Sequence, residues 1–495
     1  LLGAAFLPAP LGFLAWFGLV PLFSVLAARI GAGQPLRRLF AVGYLYGLVF
    51  YGIGIHWVLL LYPGAMNYPW MRFPAWVAAA AYLAAFAGLS AALAGWLVRR
   101  ARFPLAAALV VAFLAIELLR GAGELGFPWF QLGYSQHHML PIVQLASLGS
   151  VSLVTAWVLA LNALVHEAAR VKSWRSPAAL GAALLLLLPW AWGSAALRGA
   201  RPAVGPGVAL IQGNISAEMK WAPGRQPEIL DRFLRLSAQS ILEEPRPTLV
   251  VWPETATGSY LMLLPLQRSA LEEFARENRV GVFAGYPDED YTPVDVRLSY
   301  NAAGMVDSGG TLWGRYAKRH LVPFGERLPF QAIFPGLGRL DLGQAEWTPG
   351  RESVLFPSAA GPFSCLICFE AIFPDLARDD VRRGARWLVN ITNDAWFGNS
   401  AALYQHAAMA VFRAVENRVT LARCANTGLT FVADPWGRRH SVLPVFETGV
   451  AVAAVSPPGP RTWFTRLGDW PQMLTWLALA WGAWRARPRT TRAAR

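Results

Sequence analysis

Apolar residues run almost without interruption through the first two hundred positions and again from about residue 470. The stretch between mixes short apolar runs with charged, helix-spaced segments. A helix crosses the roughly 30 Å hydrocarbon of a bilayer with about 20 predominantly apolar residues. Six stretches before residue 200 meet or approach that length: Leu11 to Ala28, Phe40 to Tyr62, Pro74 to Val98, Pro104 to Leu119, Pro141 to Val165 and Ser176 to Leu197. A seventh, amphiphilic at its edges, runs from Trp470 to Trp484. Leu1 to Leu7 reads as the end of a further helix, and since the chain starts at Leu rather than Met, some sequence is expected to precede it. In the middle segment the period changes. Short apolar strand candidates lie at Val208 to Gln212, Leu249 to Trp252, Val280 to Ala284, Phe363 to Cys368, Trp387 to Thr392 and Thr420 to Ala425. Helix-period stretches lie between them at Pro227 to Leu242, Leu266 to Asn278 and Leu403 to Asn417, so this part reads as α/β.

Charge orders these pieces. Cytoplasmic loops of membrane proteins collect Lys and Arg. Arg29, Arg37 and Arg38 follow the first complete span, Arg99, Arg100 and Arg102 the third, and Arg170, Lys172 and Arg175 the fifth. The intervening loops hold mainly Arg72 and Arg120, while the tail carries Arg485, Arg487, Arg489, Arg492 and Arg495. Every second loop is therefore basic. One topology satisfies this: basic loops and C-terminus inside, residues 201 to 463 outside. The expected organisation is a helical membrane domain at 1–200, an extracytoplasmic domain at 201–463, and a last helix with a basic tail at 464–495. Buried helices of a soluble protein would not produce the alternation.

Composition agrees with this reading. Of 495 residues 55% are hydrophobic and 15% charged, against about 45–50% apolar in soluble proteins. The net charge of +14 would suggest nucleic acid in a soluble protein. Here much of the Arg flanks apolar runs, so no nucleic-acid partner is expected. Three cysteines cannot make a disulfide framework, and Cys365 and Cys368 lack the second pair or the histidines of a zinc site. No metal and no organic cofactor are expected.

Three polar residues stand where strands or their following loops end, the usual place of α/β active sites. Glu254 closes Val250-Val251-Trp252-Pro253-Glu254, Lys318 lies in Gly314-Arg315-Tyr316-Ala317-Lys318-Arg319-His320, and Cys368 ends Cys365-Leu366-Ile367-Cys368. Singly, each reads equally as a cap, a solvated charge or a small core residue. Together and in this order they resemble the Glu-Lys-Cys triad of the nitrilase superfamily. The surrounding words carry the resemblance further: Trp252-Pro253-Glu254, Cys368-Phe369-Glu370, Asn390-Ile391-Thr392-Asn393-Asp394-Ala395-Trp396-Phe397-Gly398, and Arg413-Ala414-Val415-Glu416-Asn417-Arg418. Gln212-Gly213-Asn214 with Trp221 downstream, and His320-Leu321-Val322-Pro323-Phe324-Gly325-Glu326, are similar to the apolipoprotein N-acyltransferase family. The resemblance extends over nearly the whole chain. Phe369 departs from it, because Tyr is the expected residue there.

The resemblance implies a multi-pass helical membrane domain with a nitrilase-like four-layer α-β-β-α sandwich. It implies a bacterial inner-membrane enzyme, its catalytic domain periplasmic, working as a monomer in the last step of lipoprotein maturation. The acyl donor would be a phospholipid and the acceptor the α-amine of an apolipoprotein's diacylglyceryl-cysteine. Cys368 would be the nucleophile, Glu254 the general base, and Lys318 the oxyanion donor together with the Phe369 backbone N–H. Glu326 and Glu370 would orient Lys318 and tune Glu254, or simply pair with arginines. Trp221 and Trp396 would contact acyl chains or only pack. Phe330 and Phe334 lie in one of two apolar loops, Leu261 to Leu266 and 328 to 337, suited to lipid contact.

Two other readings remain at this stage. A membrane-anchored carbon-nitrogen hydrolase would use the same triad on water, but would need neither several spans nor apolar approaches. A transporter or scaffold would carry ionisable residues inside its spans; only His56 and Glu117 stand there. The loop alternation gives a direct expectation of topology. In a cysteine-free variant, a single cysteine at Gly224 reacts with a membrane-impermeant maleimide added to intact cells, and one at Ser173 does not. Labelling at Ser173 would overturn the assignment.

Overall fold

The computed structural model describes residues 1–487 apart from 63–67, 174, 201–203, 332 and 342–344. The chain divides into two compact units: Leu1–His56 with Phe73–Ala195 and Asp469–Arg495, and Trp57–Arg72 with Ala196–Gly468. The second unit therefore includes a short piece of the N-terminal half as well as the middle segment. Of the basic tail, Arg489, Arg492 and Arg495 lie outside the described residues.

The first unit is helical. Among the described residues five helical stretches are long and apolar enough to cross a membrane: Gly12–Gly31, Leu36–Leu60, Pro69–Arg99, Ala146–Val171 and Pro177–Arg198. Two more expected spans are helices of 16 residues, Leu105–Arg120 and Trp470–Arg485. At 1.5 Å per residue each is about 24 Å long, short of a full hydrocarbon thickness. Leu2–Phe6 is a single 3-10 turn rather than the end of a longer helix. The stretch from Pro141 is not one helix either. A turn at Leu140–Val143 precedes Ala146–Val171, which breaks where Ser150 takes φ +60°. Asp469 supplies the reason: its carboxylate accepts from Ser150 Oγ and Ser152 Oγ, both at 2.6 Å, and from the Gln472 amide at 3.0 Å. One acid thus binds the break to the start of the last helix. Pro177–Arg198 leaves Leu180, Leu184, Leu187, Leu188, Trp190 and Trp192 exposed, a surface suited to lipid rather than water.

The second unit is an α-β-β-α sandwich. Its strands are β1 (Gly207–Gln212), β2 (Pro247–Val251), β3 (Gly281–Tyr291), β4 (Arg297–Val306), β5 (Leu312–Ala317), β6 (Phe363–Ile367), β7 (Trp387–Thr392), β8 (Thr420–Ala425), β9 (Thr430–Ala433), β10 (Arg439–Leu443) and β11 (Gly449–Ala454). They form sheets ordered β11-β1-β2-β3-β4-β5 and β10-β9-β8-β7-β6. The parallel triplets β1-β2-β3 and β6-β7-β8 are central. Side chains alternate along a strand. Val208, Leu210, Val251 and Phe283 of one sheet thus meet Cys365, Ile367, Val389 and Ile391 of the other in a shared core. The opposite face of the first sheet packs on helices Gln226–Ser240 and Pro265–Asn278, and that of the second on Pro374–Arg383 and Ala401–Asn417.

Central strands covered on both faces read as apolar runs, which is why six of them stand out in the sequence. The others lack that signal: β5 is mostly exposed and β10 nearly so, while β4 is exposed over its first half. Residue Gly285 of β3 marks where the sheets meet beneath the chemistry. A Cβ there would lie 2.7 Å from Pro253 O, 2.8 Å from Glu254 Cα and 2.8 Å from Ile391 Cδ1. Gly285→Ala is expected to push the Glu254 turn outward, costing about 1–3 kcal/mol as overpacking does and lowering turnover. Thermal midpoint in detergent and activity check this; a variant with wild-type turnover would show that the close approach is not needed.

Candidate active site

Four turns at strand ends build the site. Beyond β2, the amide of Trp252 donates to Phe283 O at 2.8 Å and its indole N–H to Ser237 Oγ at 2.9 Å, which seats the turn. Glu254 follows and is 4% exposed. Its Oε1 accepts from Asn301 Nδ2 at 2.7 Å and Lys318 Nζ at 3.3 Å, and its Oε2 from the Asn393 amide at 2.7 Å. Lys318, one residue past β5, is 1% exposed and makes its shorter contact with Glu326 Oε1, at 2.8 Å. Glu326 also accepts from Asn301 Nδ2 at 3.0 Å and from the Val322 amide at 2.8 Å. The buried ammonium thereby lies between two carboxylates and donates to both, the compensation such burial requires.

Cys368 follows β6 and opens the 3-10 turn Cys368–Ile372 with φ +51°, a region that non-glycine residues rarely enter. The strain turns its side chain out of the strand direction, as nucleophile turns do. Glu370, wholly buried, braces this turn. It accepts from the Ile367 amide at 2.7 Å, the Arg319 amide at 2.7 Å, the His320 amide at 3.1 Å, and Tyr316 Oη at 2.7 and 2.8 Å. Its carboxylate therefore ties the Lys318 strand to the Cys368 strand through their backbones. Burial raises its pKa above the ordinary range, opposed mainly by Arg319.

Burial, then the Glu254 carboxylate, raises the Cys368 thiol above its ordinary value, against Lys318 and a hydrogen bond with Thr392. Burial disfavours the Lys318 ammonium, but Glu326, Glu254 and Cys368 together outweigh it, so Lys318 stays charged. The resting site pairs a protonated thiol with a fixed cation.

Sequence reasoning missed four residues of this arrangement. Asn301, on β4, bridges Glu254 and Glu326. Lys220, wholly buried, donates to Glu254 O at 3.4 Å, and burial brings it down to about 8. His406 and Arg423 form a chain behind the nucleophile. Arg423 Nη2 donates to Asp394 Oδ2 at 2.6 Å, Asp394 Oδ1 lies 3.0 Å from His406 Nδ1, and His406 Nε2 lies 3.1 Å from Cys368 O. A carbonyl only accepts, so Nε2 carries a proton. Polar atoms of Cys368, Asp394 and His406 fall within 4.8 Å of one another, the spacing of a metal cluster. The Arg423 cation already neutralises Asp394, so this is a charge-balanced brace unsuited to a metal ion. A sequence signal existed in Asn393-Asp394 and the helix bearing His406, but nothing in it says which strand that helix faces.

The remaining expected residues differ in exposure. Trp221, Trp396, Phe330 and Phe334 are 45%, 38%, 39% and 61% exposed. Phe369 is buried, its ring 5.2 Å from that of Phe373.

Residues 207–463 match the carbon-nitrogen hydrolase family, and residues 1–164 the apolipoprotein N-acyltransferase N-terminal domain. An apolipoprotein N-acyltransferase of Geobacter metallireducens is 34% identical over 480 residues, 95% of this chain and 89% of that one. That of Azotobacter vinelandii is 35% identical over 487 residues, 95% of this chain and 92% of its own. Among solved structures, an amidase from Nesterenkonia sp. AN1 is 21% identical over 52% of this chain and 93% of its own, with TM-score 0.38. Saccharomyces cerevisiae Nit3, of the nitrilase superfamily, is 21% identical over the same shares, with TM-score 0.40.

The electrostatics separate two roles of Glu254. Because its carboxylate raises the Cys368 thiol, Glu254→Gln is expected to lower the thiol pKa, so alkylation by iodoacetamide at pH 8 speeds up. Any step that needs a base should slow by about 10² to 10⁴. Alkylation and turnover falling together would contradict this placement.

Proposed function

The chain belongs to the apolipoprotein N-acyltransferase family, and we propose that Glu254, Lys318 and Cys368 carry its acyl transfer from a phospholipid to a lipoprotein amine. One observation carries the reading: Glu254, Lys318 and Cys368 stand together at the strand ends, with Lys318 bonded to Glu254 and Glu326, in a chain that also holds several membrane-length helices.

In the first half-reaction Cys368 Sγ attacks the ester carbonyl carbon of the phospholipid while Glu254 takes the thiol proton. The oxyanion forms beside the Lys318 ammonium; one such donor is worth about 3–4 kcal/mol in the transition state. Collapse breaks the C–O bond, Glu254 returns the proton to the glycerol oxygen, and lysophospholipid leaves a thioester on Cys368. In the second half the acceptor is the N-terminal amine of a diacylglyceryl-modified apolipoprotein. Its pKa of about 7.7 to 8.0 leaves much of it protonated, so Glu254 acts as base again. The ammonium's first proton leaves through Glu254 to solvent; the free amine then attacks the thioester, loses its second proton to Glu254 as the C–S bond breaks, and that proton passes to sulfur with the amide released. Glu326 keeps Lys318 aimed, and Glu370 sets the distance between the Lys318 and Cys368 turns. No cofactor is required by either half.

The exposed apolar residues favour lipid over water as the medium at the site. Leu263, Leu264, Leu266, Phe330, Ile333 and Phe334 are all exposed, a costly arrangement in water unless a lipid surface covers them. We place residues 201–463 on the outer face of the bacterial inner membrane with these loops on the bilayer, the flanking segments 1–200 and 464–495 supplying the membrane domain. Trp221 and Trp396 then line the approach of the acyl chains, and a single copy suffices.

Intact mass spectrometry tests the reading. Protein mixed with phospholipid alone should gain one acyl mass, release lysophospholipid in about equal amount, and lose the adduct to neutral hydroxylamine. Cys368→Ala should gain nothing. A diacylated lipopeptide with a free amine should then discharge the adduct as an amide. Release of free fatty acid without acceptor would make the protein a hydrolase, and a Glu254→Gln variant that loads normally would remove Glu254 from the mechanism.

A further inference from the structure

We propose that Trp57–Tyr62, which the hydropathy pattern assigns to the end of a membrane span, is part of the active site: it clamps the turn Asp394–Phe397 and thereby positions Glu254 and Cys368. The inference rests on the Glu254-Lys318-Cys368 reading and adds an element that none of the motif words contains.

The turn in question is short. A four-residue 3-10 turn, Asp394–Phe397, is followed by Gly398 at φ +57°. Such a piece has little stability of its own, since short helical turns lack the bonds to repay their ordering. Its hold comes from a sequence more than three hundred residues away. The Tyr62 amide donates to Trp396 O at 3.0 Å. Gly398 lies against the Leu60 carbonyl so closely that a Cβ would sit 2.6 Å from that oxygen. Trp57 meets the Phe397 ring edge-on at 5.3 Å, and Tyr62 meets Trp396 at 6.4 Å. The segment is itself fixed, because Arg72 donates to Leu61 O at 2.9 Å. The Tyr62 hydroxyl hydrogen-bonds Glu218 on helix Ala217–Trp221, so the same residue touches the elements bearing Trp396 and Trp221.

Behind the clamped turn stand the reacting groups. The Asn393 amide holds Glu254 Oε2 at 2.7 Å, and Asp394 holds His406, whose Nε2 meets Cys368 O at 3.1 Å. The Phe397 ring also lies edge-on to His406 at 6.0 Å. Two short paths thus run from the clamp, one to the base and one to the nucleophile. Trp57, Leu60 and Tyr62 touch neither substrate carbonyl nor catalytic atoms in this scheme; they are positioning residues. The carbon-nitrogen hydrolase match begins at residue 207, so this brace comes from outside the region that carries the chemistry.

The test uses full-length protein in phospholipid-detergent micelles. Tyr62→Ala removes the ring contact with Trp396, Tyr62→Phe keeps the ring and the backbone donor, and Gly398→Ala forces the turn off Leu60. Tyr62→Ala and Gly398→Ala are expected to slow thioester formation on Cys368 by about 10- to 100-fold, the scale of a 1 Å misplacement. Tyr62→Phe should stay within about threefold of wild type, and thermal midpoints should be nearly unchanged. Tyr62→Ala decides the matter, since it leaves the turn's own backbone alone: loading at the wild-type rate, or an equal loss in Tyr62→Phe, overturns the proposal. If Cys368→Ala still transfers acyl groups, the catalytic reading itself fails, an outcome distinct from an insensitive clamp.

Discussion

A charged lysine with almost no access to water sets the terms for the catalytic unit. Taking an ammonium from water into a protein interior costs several kcal/mol even after relaxation. Lys318 is tolerated only because Glu254 and Glu326 lie at 3.3 and 2.8 Å and Asn301 bonds both acids. Glu254 follows β2, Asn301 lies on β4 and Glu326 stands in the loop after β5, so the cluster exists only once the first sheet is complete. Removing any one member leaves a buried polar group without a partner, which makes the cluster a cooperative unit rather than a set of separable contacts.

The nucleophile belongs to the other sheet, and two carboxylates register it against this cluster. Glu370 reaches from the Cys368 turn to the backbone of Arg319 and His320, while Glu254 reaches across to the Asn393 amide past β7. Each crosses the interface between sheets with a charged hydrogen bond, stronger and more directional than the apolar contacts around it. The shared core of Val251, Phe283, Ile367 and Ile391 supplies adhesion, but apolar packing tolerates small sliding. The polar crossings define the alignment to within the fraction of an ångström that a nucleophile and base need. The left-handed φ of Cys368 is sustained by the same crossings, with His406 holding its carbonyl from behind.

A soluble enzyme would not combine such a dry site with so many exposed apolar side chains around it. In a membrane enzyme the two features are one requirement. On the proposed mechanism the covalent intermediate is a thioester that water would destroy, and both substrates carry acyl chains that need apolar cover. Loops rich in Leu and Phe serve both ends without a dedicated lid.

Much of this protein is legible from its chain. Membrane spans and central strands are long apolar runs, which need no partner to be recognised, and Glu254, Lys318 and Cys368 sit in distinctive words at strand ends. Glu326 and Glu370 could be named as candidates, yet their work could not. Whether an acid pairs with a lysine side chain or braces two backbones depends on which turn lies opposite it, and that is a tertiary fact. Asn301, Lys220, His406 and Arg423 escaped notice because single polar residues on strands and helices carry no local signature. The break at Ser150 depended on Asp469, and the hold on Trp396 on Tyr62, each from a part of the chain more than three hundred positions away. Hydropathy reports the medium a segment prefers, because that preference is a property of its own side chains. Hydrogen-bond partners and charge pairs are properties of two segments at once, and only folding brings those together.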